Sequence, residues 1–176
     1  MTKEERIDAY KGLFARRQLA FPIYPMELDE LGYFTAPAST GYHGAYEGGL
    51  FDHSFAVAKV LEEYTDKLGL KWQRPRSPYI VGLFHDFCKL GFYIKCEDGY
   101  RYNKQSIIPG HGDRSVIMLS QYIGLTDEEI ACIRWHMGAY ETDTRLWNNY
   151  GAAVKTFPNV LYTHTADMVA SKILGV

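Results

Sequence analysis

Residues 78–90 are apolar apart from His85, Asp86 and Lys89. A run that apolar predicts an interior helix rather than a surface one. Ser77 is read as its N-cap, with Pro78 in the first turn. The run is well short of the roughly 18–20 residues that a membrane span needs. A helix buried on all sides needs other elements around it, so this segment already implies a packed helical core. An unpaired buried carboxylate costs several kcal/mol unless it meets a cation. Asp86 therefore calls for a partner, and a divalent metal or Lys89 would serve.

The rest of the chain reads as more helix. Residues 3–19 carry Ile7, Tyr10, Leu13 and Phe14 at helical spacing, and residues 50–68 carry Phe51, Phe55, Val57, Ala58, Leu61 and Tyr64. Between them, residues 21–49 hold Pro22, Pro25, Pro37 and several glycines and read as a long loop. Phe92–Cys96 and Tyr100–Tyr102 flank Asp98-Gly99, a hairpin signal. A helix is expected from Asp113 to Ile123, ended by Gly124. Thr126-Asp127-Glu128-Glu129 is a capping box for the next, which runs to His136. Residues 138–157 read as irregular, and a last helix spans Asn159–Leu174. The expected class is all-α, a mainly helical bundle with one small β-hairpin near residues 92–103.

At 176 residues, one domain is expected over 1–176. Hydrophobic residues at 47% and charged residues at 23% fit a globular chain and exclude a disordered one. A net charge of -2 argues against an extended nucleic-acid surface. The polar start, Met1-Thr2-Lys3-Glu4-Glu5-Arg6, is not a signal peptide. Cys88, Cys96 and Cys132 form no Cys-x-x-Cys pair, which argues against a disulfide framework or thiolate zinc site and for a cytoplasmic setting. All three are read as structural.

Four further segments hold polar residues near helix ends or in apolar helices. His53 follows Gly48-Gly49-Leu50-Phe51-Asp52. His111 precedes a predicted helix, His136 ends another, and His164 and Asp167 lie in the apolar last one. Helices converging on one centre can build a His/Asp metal site. Such donors, without thiolates, suit Mn, Fe, Co, Ni or Zn.

The order His53, His85-Asp86, Asp167 resembles the HD-domain metal-dependent phosphohydrolase superfamily, over about His43 to Leu174. Gly48–Ser54 looks like its first motif, Leu83–Lys89 like its His-Asp-x-x-Lys signature, and Ala166–Ser171 like its final Asp motif. His111 and His136 place the likeness among the dinuclear branches. These include cyclic-nucleotide phosphodiesterases, a diadenosine-tetraphosphate hydrolase group and HD domains of some bacterial 3′–5′ exoribonucleases. His43–Leu50 is particularly like the exoribonuclease segment. The chain lacks an OB domain and the Gly-Tyr-Pro signature of cyclic-di-GMP phosphodiesterases.

The resemblance implies two divalent transition metals per chain. His53, His85, Asp86 and Asp167 would hold the first. Asp86 would bridge to a second held by His111 and His136. Water between them would attack phosphorus. Asp86 and Lys89 are the implied catalytic residues, with Lys89 placing positive charge near the phosphate. It also implies a small phosphate substrate, a nucleotide or related mono- or diester. Three alternatives stand beside this: a dinucleoside polyphosphate hydrolase, a non-catalytic nucleotide-binding module, and a di-iron oxygenase built on the same ligands.

Other residues keep two readings. Lys89 could also be a snorkelling helix lysine. His43 could touch substrate or protonate a leaving group, or be a plain loop residue. Arg114, one turn after His111, could bind phosphate or form an exposed salt bridge, and Arg134 shares that ambiguity. His164 could orient a ligand from behind. Tyr42, Tyr46, Tyr93, Tyr100 and Tyr102 could stack on a base or simply pack.

Overall fold

The computed structural model describes residues 1–41, 44–103, 110–138 and 143–176. Eight α-helices are present among them: α1 (Lys3–Arg16), α2 (Pro25–Glu30), α3 (Gly49–Leu68), α4 (Ser77–Phe84), α5 (His111–Leu119), α6 (Asp127–Arg134), α7 (Trp147–Thr156) and α8 (Asn159–Met168). One antiparallel hairpin, β1 (Tyr93–Cys96) and β2 (Gly99–Tyr102), pairs Tyr93 with Tyr102 and Cys96 with Gly99. The expected class, helical with a single small hairpin, is the one observed. Among the described residues no helix is long and apolar enough to cross a membrane.

Aromatic rings fill the centre. Tyr10, Phe14, Tyr33, Phe34, Phe51, Phe84 and Phe87 are all buried. The buried hydroxyls find carbonyls, Tyr10 donating to Ile23 (2.7 Å) and Tyr33 to Leu83, as a buried O–H must to avoid its desolvation cost. Thr2 and Glu5 cap α1 reciprocally. The α1 residue Arg6, also buried, grips Asp52 of α3 with two bonds (2.8 and 3.0 Å). Thr126 and Glu129 form the expected capping box of α6.

Several boundaries depart from expectation. The segment 21–49 contains α2, because Pro25 opens a helix rather than breaking one; Tyr24 before it is extended. Residues 138–157 contain α7, and Leu146, Tyr150, Ala153, Val154 and Phe157 put one face against the core despite Asn148, Asn149 and Gly151. Packing overrides weak propensity there. Ser77 is the first residue of α4, not its cap, and its hydroxyl is spent on Glu129 (2.8 Å). The last helix passes at Val169–Leu174 into a π-helical turn, a form often found at functional sites.

The apolar run itself is not one helix to Leu90. The α-helix ends at Phe84, with His85 as its C-cap, and Phe87–Lys89 form a 3₁₀ turn. In a continued helix, Asp86 would point about 100° away from His85. Past the break, its carboxylate lies against both His85 and Lys89.

Candidate metal centre

Close helix packing creates the centre. A Cβ on Gly82 of α4 would stand 2.4 Å from the Ala58 Cα of α3, so only glycine lets these helices approach this closely. That approach sets the rings of His53 and His85 5.3 Å apart. A Cβ on Gly112 would fall 2.0 Å from the Arg134 carbonyl, so glycine also seats the start of α5 against the end of α6. His136, two residues past α6, brings its ring to 4.9 Å from that of His85. Asp167 enters from α8.

The geometry around Asp86 is tight. Its Oδ2 lies 2.6 Å from Lys89 Nζ, 3.4 Å from His85 Nε2 and 3.9 Å from His53 Nε2. Its Oδ1 lies 3.6 Å from His136 Nε2. His53 Nε2 is 3.2 Å from Asp167 Oδ1. Burial pushes the Asp86 carboxyl up, but the groups around it, the Lys89 ammonium first, outweigh it and hold it well below the usual carboxylate range. Burial lowers Lys89, but Asp86 wins and raises it. Asp86 is thus ionised although buried.

Each of the three central imidazoles is held from behind by the main chain. His53 Nδ1 meets the Val176 carbonyl (2.9 Å), His85 Nδ1 that of Gly82 (2.9 Å), and His136 Nδ1 that of Ile133 (2.7 Å). A carbonyl only accepts, so Nδ1 carries a proton, and in a neutral ring so held the Nε2 lone pair points inward. His85 Nε2 is buried and hydrogen-bonded to nothing among the described residues; its approach to Asp86 is not aligned for a bond. Lone pairs of imidazoles and carboxylates therefore face one another. Such an arrangement repels itself unless a cation sits between, and the tautomers are those that metal-ligating histidines adopt.

Among the described residues, three overlapping groups each bring ligand atoms within 4.8 Å of one another: His53, His85 and Asp86; His85, His136 and Asp167; and Asp86, Cys88 and His111. Asp86 belongs to two of them. These residues fit a divalent metal by donor type, spacing and orientation. A cavity of about 540 Å³ opens onto them, lined by His53, Asp86, Lys89, His111, His136 and Asp167. Burial holds the His111 imidazole below its ordinary value.

The other sequence candidates fall around this cavity. Tyr93 and Tyr102 line it, with ring centroids 5.4 Å apart. Tyr46 instead donates to Asp52 (3.2 Å). Arg114 is not among the cavity lining; its guanidinium lies over the Phe92 ring at 4.8 Å. Arg134 bonds Asp113 and covers the Trp135 ring at 4.1 Å. His164 Nδ1 lies 2.8 Å from the His136 main-chain carbonyl. Tyr42 and His43 lie outside the described residues.

The sequence reading missed Cys88, whose sulfur lies 3.4 Å from His111 Nδ1. Its place between Asp86 and Lys89 was the available signal. It also missed Ser39, Met137, Met168, Ser171 and Lys172 on the cavity wall, and the Val176 carbonyl behind His53. A main-chain contact so far along the chain leaves no trace in residue types.

The dihydroneopterin 2′,3′-cyclic phosphate phosphodiesterase of Methanocaldococcus jannaschii is 40% identical over 70 residues, which are 36% of this chain and 27% of that protein. The match thus spans little more than a quarter of the relative. No solved structure matches. The HD domain family matches over residues 50–169, a span that takes in His53, His85-Asp86, His111, His136 and Asp167. The chain belongs to the HD domain family.

Proposed function

We propose that this chain is a metal-dependent phosphohydrolase acting on a nucleotide or related phosphate mono- or diester. The observation that carries the reading is the inward-facing set of Nε2 lone pairs from His53, His85 and His136 around an ionised, buried Asp86. His53, His85, Asp86 and Asp167 would hold one divalent metal, and Asp86, His111 and His136 a second. When bound, such metals lower the pKa of water and neutralise charge on phosphoryl oxygens.

The chain's own residues do the rest. Asp86, with one oxygen toward His136 and the other toward His53 and His85, sets the spacing of the two positions. Lys89 lines the cavity beside Asp86, and where Asp86 held metal its ammonium would be available to a phosphoryl oxygen. Tyr93 and Tyr102, paired across the hairpin, give the mouth an aromatic wall suited to a planar base or similar ring. The relative's name points to phosphodiesters, a 2′,3′-cyclic phosphate among them. The three cysteines are free thiols, which supports a reducing cytoplasmic setting.

The test is metal content by mass spectrometry on protein purified without oxygen or chelator. A panel of nucleoside 2′,3′-cyclic phosphates, nucleoside monophosphates and dinucleoside polyphosphates follows, run with and without oxygen. About two metals per chain and oxygen-independent phosphoester cleavage are expected. Metal-free protein after supply of Mn, Fe, Co, Ni and Zn would sink the reading, as would turnover that requires oxygen.

A further inference from the structure

His111 differs from the three central histidines in what stands behind it. Their Nδ1 atoms meet main-chain carbonyls; its Nδ1 meets the Cys88 thiol at 3.4 Å. The contact is built rather than incidental. Cys88 is 2% exposed, and its own N–H donates to Ser115 Oγ (3.1 Å). Ser115 is four residues after His111 on α5, hence on the same helical face. One face of α5 therefore clamps residue 88 twice, by its backbone through Ser115 and by its sulfur through His111.

We propose that Cys88 is a positioning residue for the second metal: its sulfur accepts the His111 Nδ1–H and so presents Nε2 to the position shared with Asp86. This rests on the dinuclear reading above. It has a consequence that carbonyl anchors lack. A carbonyl only accepts, so it fixes the tautomer. A thiol also donates, and when S–H donates to Nδ1 the ring proton sits on Nε2 and blocks a metal. Because the Cys88 sulfur can either accept from or donate to His111 Nδ1, both arrangements are available in the metal-free chain. The His111 position is therefore less preorganised, and the two positions fill unequally, the His53/His85/Asp167 side first.

The test is a Co²⁺ titration of the full chain, followed by visible and near-ultraviolet absorption with bound cobalt counted by mass spectrometry. Wild type is expected to bind two equivalents, one tighter. Cys88→Ala should weaken the looser equivalent about 10–100-fold, the usual range for losing a residue that orients a ligand, and leave the tighter one unchanged. Cys88→Ser, with an accepting hydroxyl, should recover much of the loss. An unchanged looser equivalent in Cys88→Ala overturns the proposal, as does an equal loss in both variants. A sulfur-to-cobalt charge-transfer band in wild type would make Cys88 a ligand and overturn it too. A single equivalent in wild type removes the dinuclear reading and the proposal with it, whereas two equivalents indifferent to residue 88 remove the proposal alone. If Cys88→Ala does not fold, nitrogen-15 shifts of the His111 ring in zinc-loaded wild type decide: a protonated Nδ1 supports the proposal, a metal-bound Nδ1 overturns it.

Discussion

The two ends of α6 hold buried polar groups of opposite kinds. At its start, Glu128 and Glu129 are buried acids met by donors. Glu129 takes Arg74 (2.8 and 2.5 Å), Ser77 (2.8 Å) and the Thr126 N–H (3.0 Å). Glu128 takes the Gln73 N–H (2.7 Å) and Asn159 (2.9 Å). Just past its end, His136 joins a cluster in which acceptors face acceptors and Lys89 is the paired cation. Burial alone does not separate them, since Glu129 and His85 are both fully buried. The direction of the lone pairs does. A polar cluster that closes its own hydrogen bonds ties elements together, and one that leaves acceptors converging is shaped for something added.

The comparison predicts two different failures. Asp86→Ala removes the carboxylate shared by both proposed metal positions. Phosphoester turnover should fall to background and at least one of two metals should be lost, read by mass spectrometry on the same preparation. Full activity in that variant would break the distinction at its functional end. Glu129→Gln attacks the other end. Losing one partner of a buried pair costs about 3–5 kcal/mol, so urea unfolding should show a loss near the lower figure, because glutamine keeps some of the hydrogen bonds. Metal content per folded chain should not change.

How far the sequence revealed this contrast depends on the range of each interaction. The Thr126–Glu129 capping box is a contact over three residues and was legible. So was the His85-Asp86 pair, because charge inside an apolar run is anomalous on its face. The arms of the centre, His53, His111, His136 and Asp167, were found by resemblance to a motif order, not by spacing; more than a hundred residues separate the first from the last. The Glu129–Arg74–Ser77 network went unread, since nothing local marks a glutamate in a first helical turn as buried. The end of α4 at Phe84 was hidden for a related reason. Apolar periodicity cannot register the change from an α-helix to a 3₁₀ turn. The start of α2 was visible as Pro25 but was read as a breaker, although proline suits a first helical turn.

Lys89 belongs to both kinds of cluster, which makes it the sharper probe. In the metal-free chain it closes an ion pair with Asp86 at 2.6 Å. In the proposed enzyme it gives that role to metal and serves the phosphate. Lys89→Ala should therefore lower turnover about 100-fold, the scale of losing one group that stabilises developing charge, with metal content unchanged. Steady-state kinetics and metal counting on the same sample check it. Unchanged turnover would reduce Lys89 to a structural partner of Asp86.

The smallest effect tests whether a self-closed cluster can be recognised away from α6. Glu62 of α3 is buried and receives Arg16 (3.1 Å), Arg17 (2.8 Å), Tyr79 (3.0 Å) and Lys59. Burial raises its carboxyl, but the bonds from Lys59, Arg17 and Tyr79 outweigh it and bring the pKa from 4.5 to about 2. A carboxyl depressed on folding contributes stability that is fully present above its unfolded value and lost as pH falls through its folded value. The contribution is thus intact above about pH 4.5 and gone near pH 2. The side chains of Arg16 and Lys59 are 50% and 41% exposed, so solvent screens much of the attraction. Glu62→Gln should then cost about 1–2 kcal/mol at neutral pH. The gap to wild type, followed by urea unfolding at stepped pH, should close on acidification across that window. A gap that persists to the acid end would mean that Glu62 acts through packing and shape, and that closure of hydrogen bonds is a poorer guide to stabilising charge than the two ends of α6 suggest.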